Sequence, residues 1–355
     1  MTAVHVVVPD GIDDPARPSG GNVYDRWVCR ELSLRGWSVY EHAVPGSWPR
    51  PDARSLAALA GVIERIPDHA VVLLDGLVAS TAPALLVPQA RRLSLVVLVH
   101  MALGDRPPDG GADDVRRRER EVLSVAAGVV TTSAWSRRRL LELYALPADR
   151  VYVALPAVDS ADPAAGTDNG GALLCVAAVT FDKGHDVLLD ALATMTDLSW
   201  RCLCAGSMDR DAAFAKRIHR RSLDGGLGDR VSFTGPRTGA ELDRSYAAAD
   251  LVVLASRAET FGIVVIEALA RGLPVVATDV GGVPEALGHD ADGVRPGLLV
   301  PPDDAGALAA ALRAWLSDGE LRRRLRRAAC ERRSSLPRWS TTTTVIARVL
   351  SEVSR

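Results

Sequence analysis

The chain has 355 residues, which at ~150 residues per domain corresponds to about two domains. Hydrophobic residues make up 48% and charged residues 24%, which excludes a disordered chain and leaves apolar surface for two cores. A formal net charge of −2 gives no global electrostatic reason to expect a nucleic-acid partner.

The chain opens Met-Thr-Ala-Val-His-Val-Val-Val-Pro, with no basic stretch before Pro9, and so does not read as a signal peptide. No apolar run approaches the ~20 residues that cross a bilayer. Short Val- and Leu-rich runs recur at 4–8, 71–74, 95–99, 129–132, 151–154, 173–179, 203–205, 231–233, 251–255, 275–278 and 298–300. Continuous apolar runs without alternation predict strands covered on both faces. Helical spacing marks Asn22–Arg35, Val187–Ala193, Glu241–Ala248, Val264–Arg271 and Ala305–Leu316, with Gly36 and Gly272 as stops. Strand alternating with helix predicts an α/β class of two doubly wound domains facing each other across a cleft. Ligands of such sheets sit outside the carboxyl ends of the strands, so the loops after strands are where chemistry is sought. The small and polar residues of Asp159–Gly171 predict an exposed linker. Ser334–Trp339 is a second seam, and Ser340–Ser354 a helix that docks back on the first domain.

Four post-strand loops stand out in chain order. Ser19-Gly20-Gly21-Asn22 precedes a helix, and paired glycines let a backbone approach an anion, although Gly-Gly alone marks many turns. His100 ends the run Leu95–His100 and faces the expected crevice; a satisfied structural histidine is the alternative. Lys183-Gly184 lies at a strand-to-helix turn, and Lys183 is one of only two lysines in a chain that otherwise uses arginine. The fourth, Ser256–Gly262, leads into a helix starting near Ile263, with Glu259 on the loop and Glu267 one turn inside the helix. Thr260, Phe261, Gly262 and Ile263 open that helix, whose unpaired N–H groups and partial positive charge suit a diphosphate. Ionised carboxylates only accept hydrogen bonds, so each glutamate suits a sugar hydroxyl. By themselves the two glutamates also read as a helix-end acid and a solvated helix residue. There is no G-x-G-x-x-G and no Gly-Lys-Ser/Thr, against a dinucleotide oxidoreductase and a P-loop.

The stretch Leu251–Glu285, LVVLASRAETFGIVVIEALARGLPVVATDVGGVPE, resembles the signature of the retaining glycosyltransferases of family four, which have the GT-B fold. Their motif is Glu, seven residues, Glu, then Gly-x-Pro-Val-[Val/Ile]-[Ala/Gly]-[Thr/Ser]-Asp-x-Gly-Gly-x-Pro-Glu, matched here from Gly272 to Glu285. The resemblance implies two Rossmann-like domains: residues 1–165 for the acceptor, with a helix at 339–355 packing back on them, and residues 166–338 for the nucleotide sugar. It implies that Glu259 contacts the donor sugar, Glu267 the ribose hydroxyls, and His100 the sugar as a positioning group. Lys183 matches the lysine of the family's Gly-Arg-x4-Lys-Gly, which holds the diphosphate. The family's arginine falls on Ala178 and its preceding glycine on Ala177, so half of that clamp is missing; Arg237 is a candidate substitute. Gly20 and Gly21 match the first glycine-rich loop in position.

The implied activity is metal-independent transfer of a sugar from a nucleoside-diphosphate sugar to a small-molecule or lipid acceptor, without a cofactor. A GT-B sugar-nucleotide epimerase or non-glycosidic coupling enzyme, and a non-catalytic sugar-nucleotide binder, are the competing readings. The triplets Asp209-Arg210-Asp211 and Asp290-Ala291-Asp292 read as a helix cap at Asp209 and a turn at Asp290 rather than a metal site. Arginine clusters at 116–118, 137–139 and 322–327 read as solvated helix faces, with a lipid-surface role as the alternative. Five scattered cysteines read as free thiols of a reducing cytosol, and the arginine-heavy usage as that of a bacterium. Base, sugar, acceptor and oligomeric state are not specified.

Overall fold

A computed structural model describes residues 2–16, 18–105 and 111–354. The loop at 102–114 therefore falls partly outside the described residues. The chain forms two compact units, Met1–Asp14, Ser19–Ala157 and Pro337–Arg355 in the first, Pro15–Pro18 and Val158–Leu336 in the second.

In the first unit six strands, β1 (Ala3–Pro9), β2 (Ser38–Val44), β3 (Val71–Asp75), β4 (Ser94–Val99), β5 (Gly128–Thr131) and β6 (Val151–Val153), pair in the order β2-β1-β3-β4-β5-β6. Every pairing is parallel. The helices are α1 (Gly20–Leu34), α2 (Ala53–Glu64), α3 (Gly76–Ala79), α4 (Pro83–Gln89), α5 (Ala112–Val125) and α6 (Ala134–Tyr144). β4 shows why its run is unbroken: Leu95, Val97 and Val99 enter a core with Leu59, Ile63 and Leu86, while Val96 and Leu98 enter another with Val28, Leu32 and Ile346. Successive strand residues point to opposite faces, so a strand covered twice must be apolar throughout. β2 is one of the two edge strands, with Tyr40 and Glu41 exposed; its mixed sequence carries no continuous apolar run, and sequence reading passed over it. Glu119, next to the arginine cluster at 116–118, is fully buried, accepting from Leu103 N, Gly104 N, Ser80 Oγ and Tyr144 Oη.

The second unit repeats the plan. Its strands β7 (Ala172–Val176), β8 (Arg201–Ala205), β9 (Val231–Phe233), β10 (Leu251–Leu254), β11 (Val275–Thr278) and β12 (Gly297–Val300) lie in the order β12-β11-β10-β7-β8-β9, all parallel. Its helices are α7 (His185–Ala193), α8 (Ala212–Asp224), α9 (Gly239–Ala247), α10 (Ile263–Ala270), α11 (Val283–Leu287), α12 (Ala305–Ser317) and α13 (Gly319–Arg332). The chain then returns to the first unit as α14 (Trp339–Val353), whose Trp339 stacks on Trp27 of α1 at 5.5 Å.

The units divide at Ala157 and Val158, so residues 158–165 belong to the second rather than the first. The stretch read as an exposed linker is tied down along the second unit: Ala164 N donates to Arg271 O, Thr167 N to Asp250 Oδ1, and Trp315 Nε1 to Gly170 O. Among the described residues no helix is long and apolar enough to cross a membrane.

Candidate active site

Strand order reverses between β7 and β10 in the second unit, and the loops leaving the carboxyl ends of two such neighbours open a crevice. Lys183 leaves β7 through a 3₁₀ turn, Phe181–Lys183, and Glu259 lies on the loop after β10. The Lys183 ammonium donates to Glu259 Oε1 at 2.6 Å, and Ser256 Oγ donates to the same oxygen at 2.8 Å. Sequence reading gave the two residues separate tasks; the fold brings them into one half-buried ion pair, with the Lys183 side chain 29% and the Glu259 side chain 12% exposed.

Close backbone packing fixes this pair. Gly184 has φ +64°, and a Cβ there would lie 1.9 Å from Ala255 O. The Gly281-Gly282 pair after β11 supports the Glu259 loop from below: Gly282 N donates to Glu259 O at 3.2 Å, and a Cβ at Gly281 would lie 1.6 Å from that oxygen. Those glycines are thus required by the loop they carry. Arg257, which sequence reading did not single out, ties the two loops together. Its guanidinium donates twice to Asp186 on α7, once to Asp303 and once to Phe181 O, and lies 4.0 Å over the Phe181 ring. Burial opposes the Asp186 charge, yet Arg257 outweighs it and holds that carboxyl below its usual range.

Gly262, at φ +88°, turns the chain into α10, which opens without a side-chain cap. Thr260 and Ile263 are half-buried there, and Phe261 is buried. The first amides of a helix lack intrahelical acceptors, so this end offers N–H groups beside the ammonium. One turn in, half-buried Glu267 accepts from Tyr246 Oη of α9 at 2.7 Å, and Arg271 lies over the Tyr246 ring at 4.5 Å. Burial raises the Glu267 carboxyl above its usual range, against the Tyr246 hydrogen bond and the Arg271 charge. Tyr246 lay outside the motif, and no spacing signal pointed to it. Arg237 donates to Ser245 Oγ at 2.8 Å and so is fastened to α9.

Three predicted residues belong to the first unit. Ser19 caps α1 by accepting from Asn22 N, which makes Gly20 and Gly21 its first turn rather than a loop before it. His100 follows β4, and its Nε2 lies 2.8 Å from Asp25 Oδ1. Of the acidic triplets, Asp211 rather than Asp209 caps α8, accepting from Phe214 N, while Asp290 closes a turn by accepting from Asp292 N and Val294 N. Cys175, His185 and Cys204 are buried with their sulfur and nitrogen atoms within 4.8 Å of one another beneath the Lys183 turn.

Residues 164–332 match the protein family described as Glycosyl transferases group 1. The chain is 34% identical over 266 residues to D-inositol 3-phosphate glycosyltransferase of Frankia alni, covering 70% of this chain and 63% of that protein. It is 31% identical over 259 residues to the protein of the same name from Jonesia denitrificans, covering 66% and 60%. The chain thus spans about three fifths of the length of these curated relatives. Its fold matches sucrose-phosphate synthase of Thermosynechococcus elongatus, with TM-score 0.79, 22% identity and 99% of each chain covered. It also matches Anabaena HepE in complex with UDP and glucose, with TM-score 0.79, 20% identity, and 99% and 100% covered. These likenesses are to the GT-B glycosyltransferase fold.

Proposed function

The second unit of this chain belongs to the glycosyl transferases group 1 family, and from that premise we propose that the protein is a retaining glycosyltransferase using a nucleoside-diphosphate sugar. The observation that carries this reading is the Lys183–Glu259 pair at the strand-order reversal, beside the open end of α10. A diphosphate takes the ammonium and the α10 amides. The Glu259 carboxylate is then left to accept from the donor sugar, and Glu267 from the ribose hydroxyls.

The bond from sugar C1 to the diphosphate oxygen breaks with oxocarbenium character, as in glycoside hydrolysis. Both bonding electrons leave with the diphosphate, whose growing charge Lys183 and the helix end stabilise. An acceptor hydroxyl forms the new C1–O bond from the same face, and a phosphate oxygen takes its proton. No protein nucleophile takes part. Lys183 and the amides supply the positive charge that a metal ion would otherwise bring, so chelator leaves turnover unchanged. A reducing cytosolic setting is supported by free cysteines, four of which are buried. The test is incubation with UDP-, GDP-, ADP- and dTDP-sugars in the presence of candidate acceptors. The expected result is consumption of one donor and a product that retains the anomeric configuration. An inverted product, or an isomerised donor with no transfer, contradicts the proposal.

A further inference from the structure

Beneath the Lys183 turn the second unit holds a cluster of soft metal ligands. Cys175 on β7 and Cys204 on β8 are register partners, so their side chains stand side by side on one face of the sheet. His185 opens α7 directly after Gly184. Its Nε2 lies 3.8 Å from Cys175 Sγ, and one ligand atom from each of the three residues lies within 4.8 Å of the others. Cys175, His185 and Cys204 are 1%, 1% and 2% exposed. The two thiols pack in an apolar core with Leu173, Leu188 and Val253. Cys202, two residues before Cys204 and on the same strand face, lies in that core too, and Cys204 has both other thiols as hydrogen-bond partners.

An unpartnered imidazole is costly in an apolar core, because buried polar groups normally carry hydrogen bonds. Among the described residues nothing bonds His185 Nδ1, and Nε2 has only the Cys175 sulfur, a weak partner at long range. The set fits a thiophilic cation instead. Around tetrahedral zinc, neighbouring sulfur and nitrogen ligands stand about 3.6–3.8 Å apart. The Cys175–His185 separation already has that value, and the others close to it by about 1 Å at most. Two thiolates and a neutral imidazole cancel the charge of Zn²⁺, as a dry site requires. Mg²⁺ and Ca²⁺ prefer oxygen ligands, which this set lacks. We propose that Cys175, His185 and Cys204 bind a structural zinc ion, with Cys202 the nearest donor for its fourth position.

On binding, each coordinating thiol gives its proton to solvent, the sulfur lone pairs form the bonds to zinc, and nothing is oxidised or reduced. The ion ties β7, β8 and the first residue of α7 together under the turn that carries Lys183. Closed to solvent, it touches no substrate and is taken up as the chain folds. Chelator added to the folded protein therefore does not reach it. The inference is independent of the glycosyltransferase reading and of its metal-free chemistry.

The test is expression of the full chain in minimal medium with zinc, and in parallel with cobalt in its place, followed by metal analysis and absorption spectroscopy of the folded protein. The expected result is a stoichiometric ion that survives dialysis against EDTA, and in the cobalt form the thiolate-to-cobalt charge-transfer band and strong visible bands of a tetrahedral site. Cys175→Ala, Cys204→Ala and His185→Gln should each lose the ion. Cys330→Ala, which removes the exposed thiol, should keep it. A wild type free of zinc and cobalt after dialysis, a cobalt form without the charge-transfer band, or an ion retained in folded Cys175→Ala overturns the proposal. Loss of the ion in Cys330→Ala reveals an adventitious surface ion and overturns it as well. Should the core variants fail to fold, X-ray absorption at the zinc edge of the wild type decides: sulfur and imidazole nitrogen around the ion support the site, and oxygen ligands alone overturn it. Each of these results leaves sugar transfer untouched, and absence of transfer from every sugar nucleotide leaves the metal content untouched.

Discussion

The Lys183 ammonium donates to the Glu259 carboxylate at 2.6 Å, so the cation is held in place and partly neutralised by that acid. On the proposed reading a diphosphate, which carries more charge than one carboxylate, would draw the ammonium toward itself and be stabilised as it leaves. Lys183→Ala should therefore lower turnover by about 100-fold or more, read as kcat under saturating donor; near-normal kcat would remove Lys183 from the chemistry. Asp75, which ends β3 close to Asp25 and His100, makes a second prediction at this scale. Its native pKa of about 7 lies above the ordinary carboxyl value, so its contribution to stability is present in acid and is lost as pH rises toward and through 7. Asparagine stays neutral throughout, so Asp75→Asn should raise Tm more at pH 8 than at pH 5; an equal shift at both would show that Asp75 does not titrate there. Lys183 was legible because it sat in a motif and stood out among arginines. Asp25 and Asp75 were not, because residues far apart in sequence meet only when β3 pairs with β1 and α1 crosses above them.

At the level of elements, the site is three loops held by backbone contacts that exclude any side chain. The Gly281-Gly282 pair shows how a sequence motif acquires its physical cause, since its neighbour is the carbonyl of Glu259. Gly281→Ala places a Cβ in that carbonyl at a left-handed φ of +55°. The backbone alone costs ~1–2 kcal/mol there, and relief of the clash must move Glu259. Calorimetry should show that loss of stability together with weakened donor binding; unchanged donor affinity would mean that the loop is not part of the site. Arg257 escaped sequence reading because an arginine next to a loop serine has no distinguishing pattern in an arginine-rich chain. Its role appears only when Asp186, Asp303 and Phe181 converge on it. The strands were legible where the run is continuously apolar, as in β4 and even at the edges β6, β9 and β12, and not in β2, which mixes Tyr40, Glu41 and His42 with apolar residues.

On the scale of the whole molecule, two parallel six-stranded sheets each bring their strand-order reversal to the place where the predicted residues lie. Lys183 and Glu259 fall at one reversal, Gly21 and His100 near the other, so doubly wound topology accounts for both sets with one rule. Each unit has its own buried core, with α14 returning from the second unit to complete the first. A nucleoside diphosphate at 100 times its Kd should stabilise the second unit by ~2.7 kcal/mol. Hydrogen exchange should therefore slow at β7, β10 and α10 on adding it; protection confined to β1–β6 would contradict the assignment. The most direct measurement is a crystal structure of the chain grown with the nucleoside-diphosphate sugar that it consumes. The account predicts a diphosphate within hydrogen-bond distance of Lys183 Nζ and the amides of residues 260–264, with Glu259 turned to the sugar. A diphosphate bound elsewhere, with Lys183 still paired only to Glu259, would contradict it.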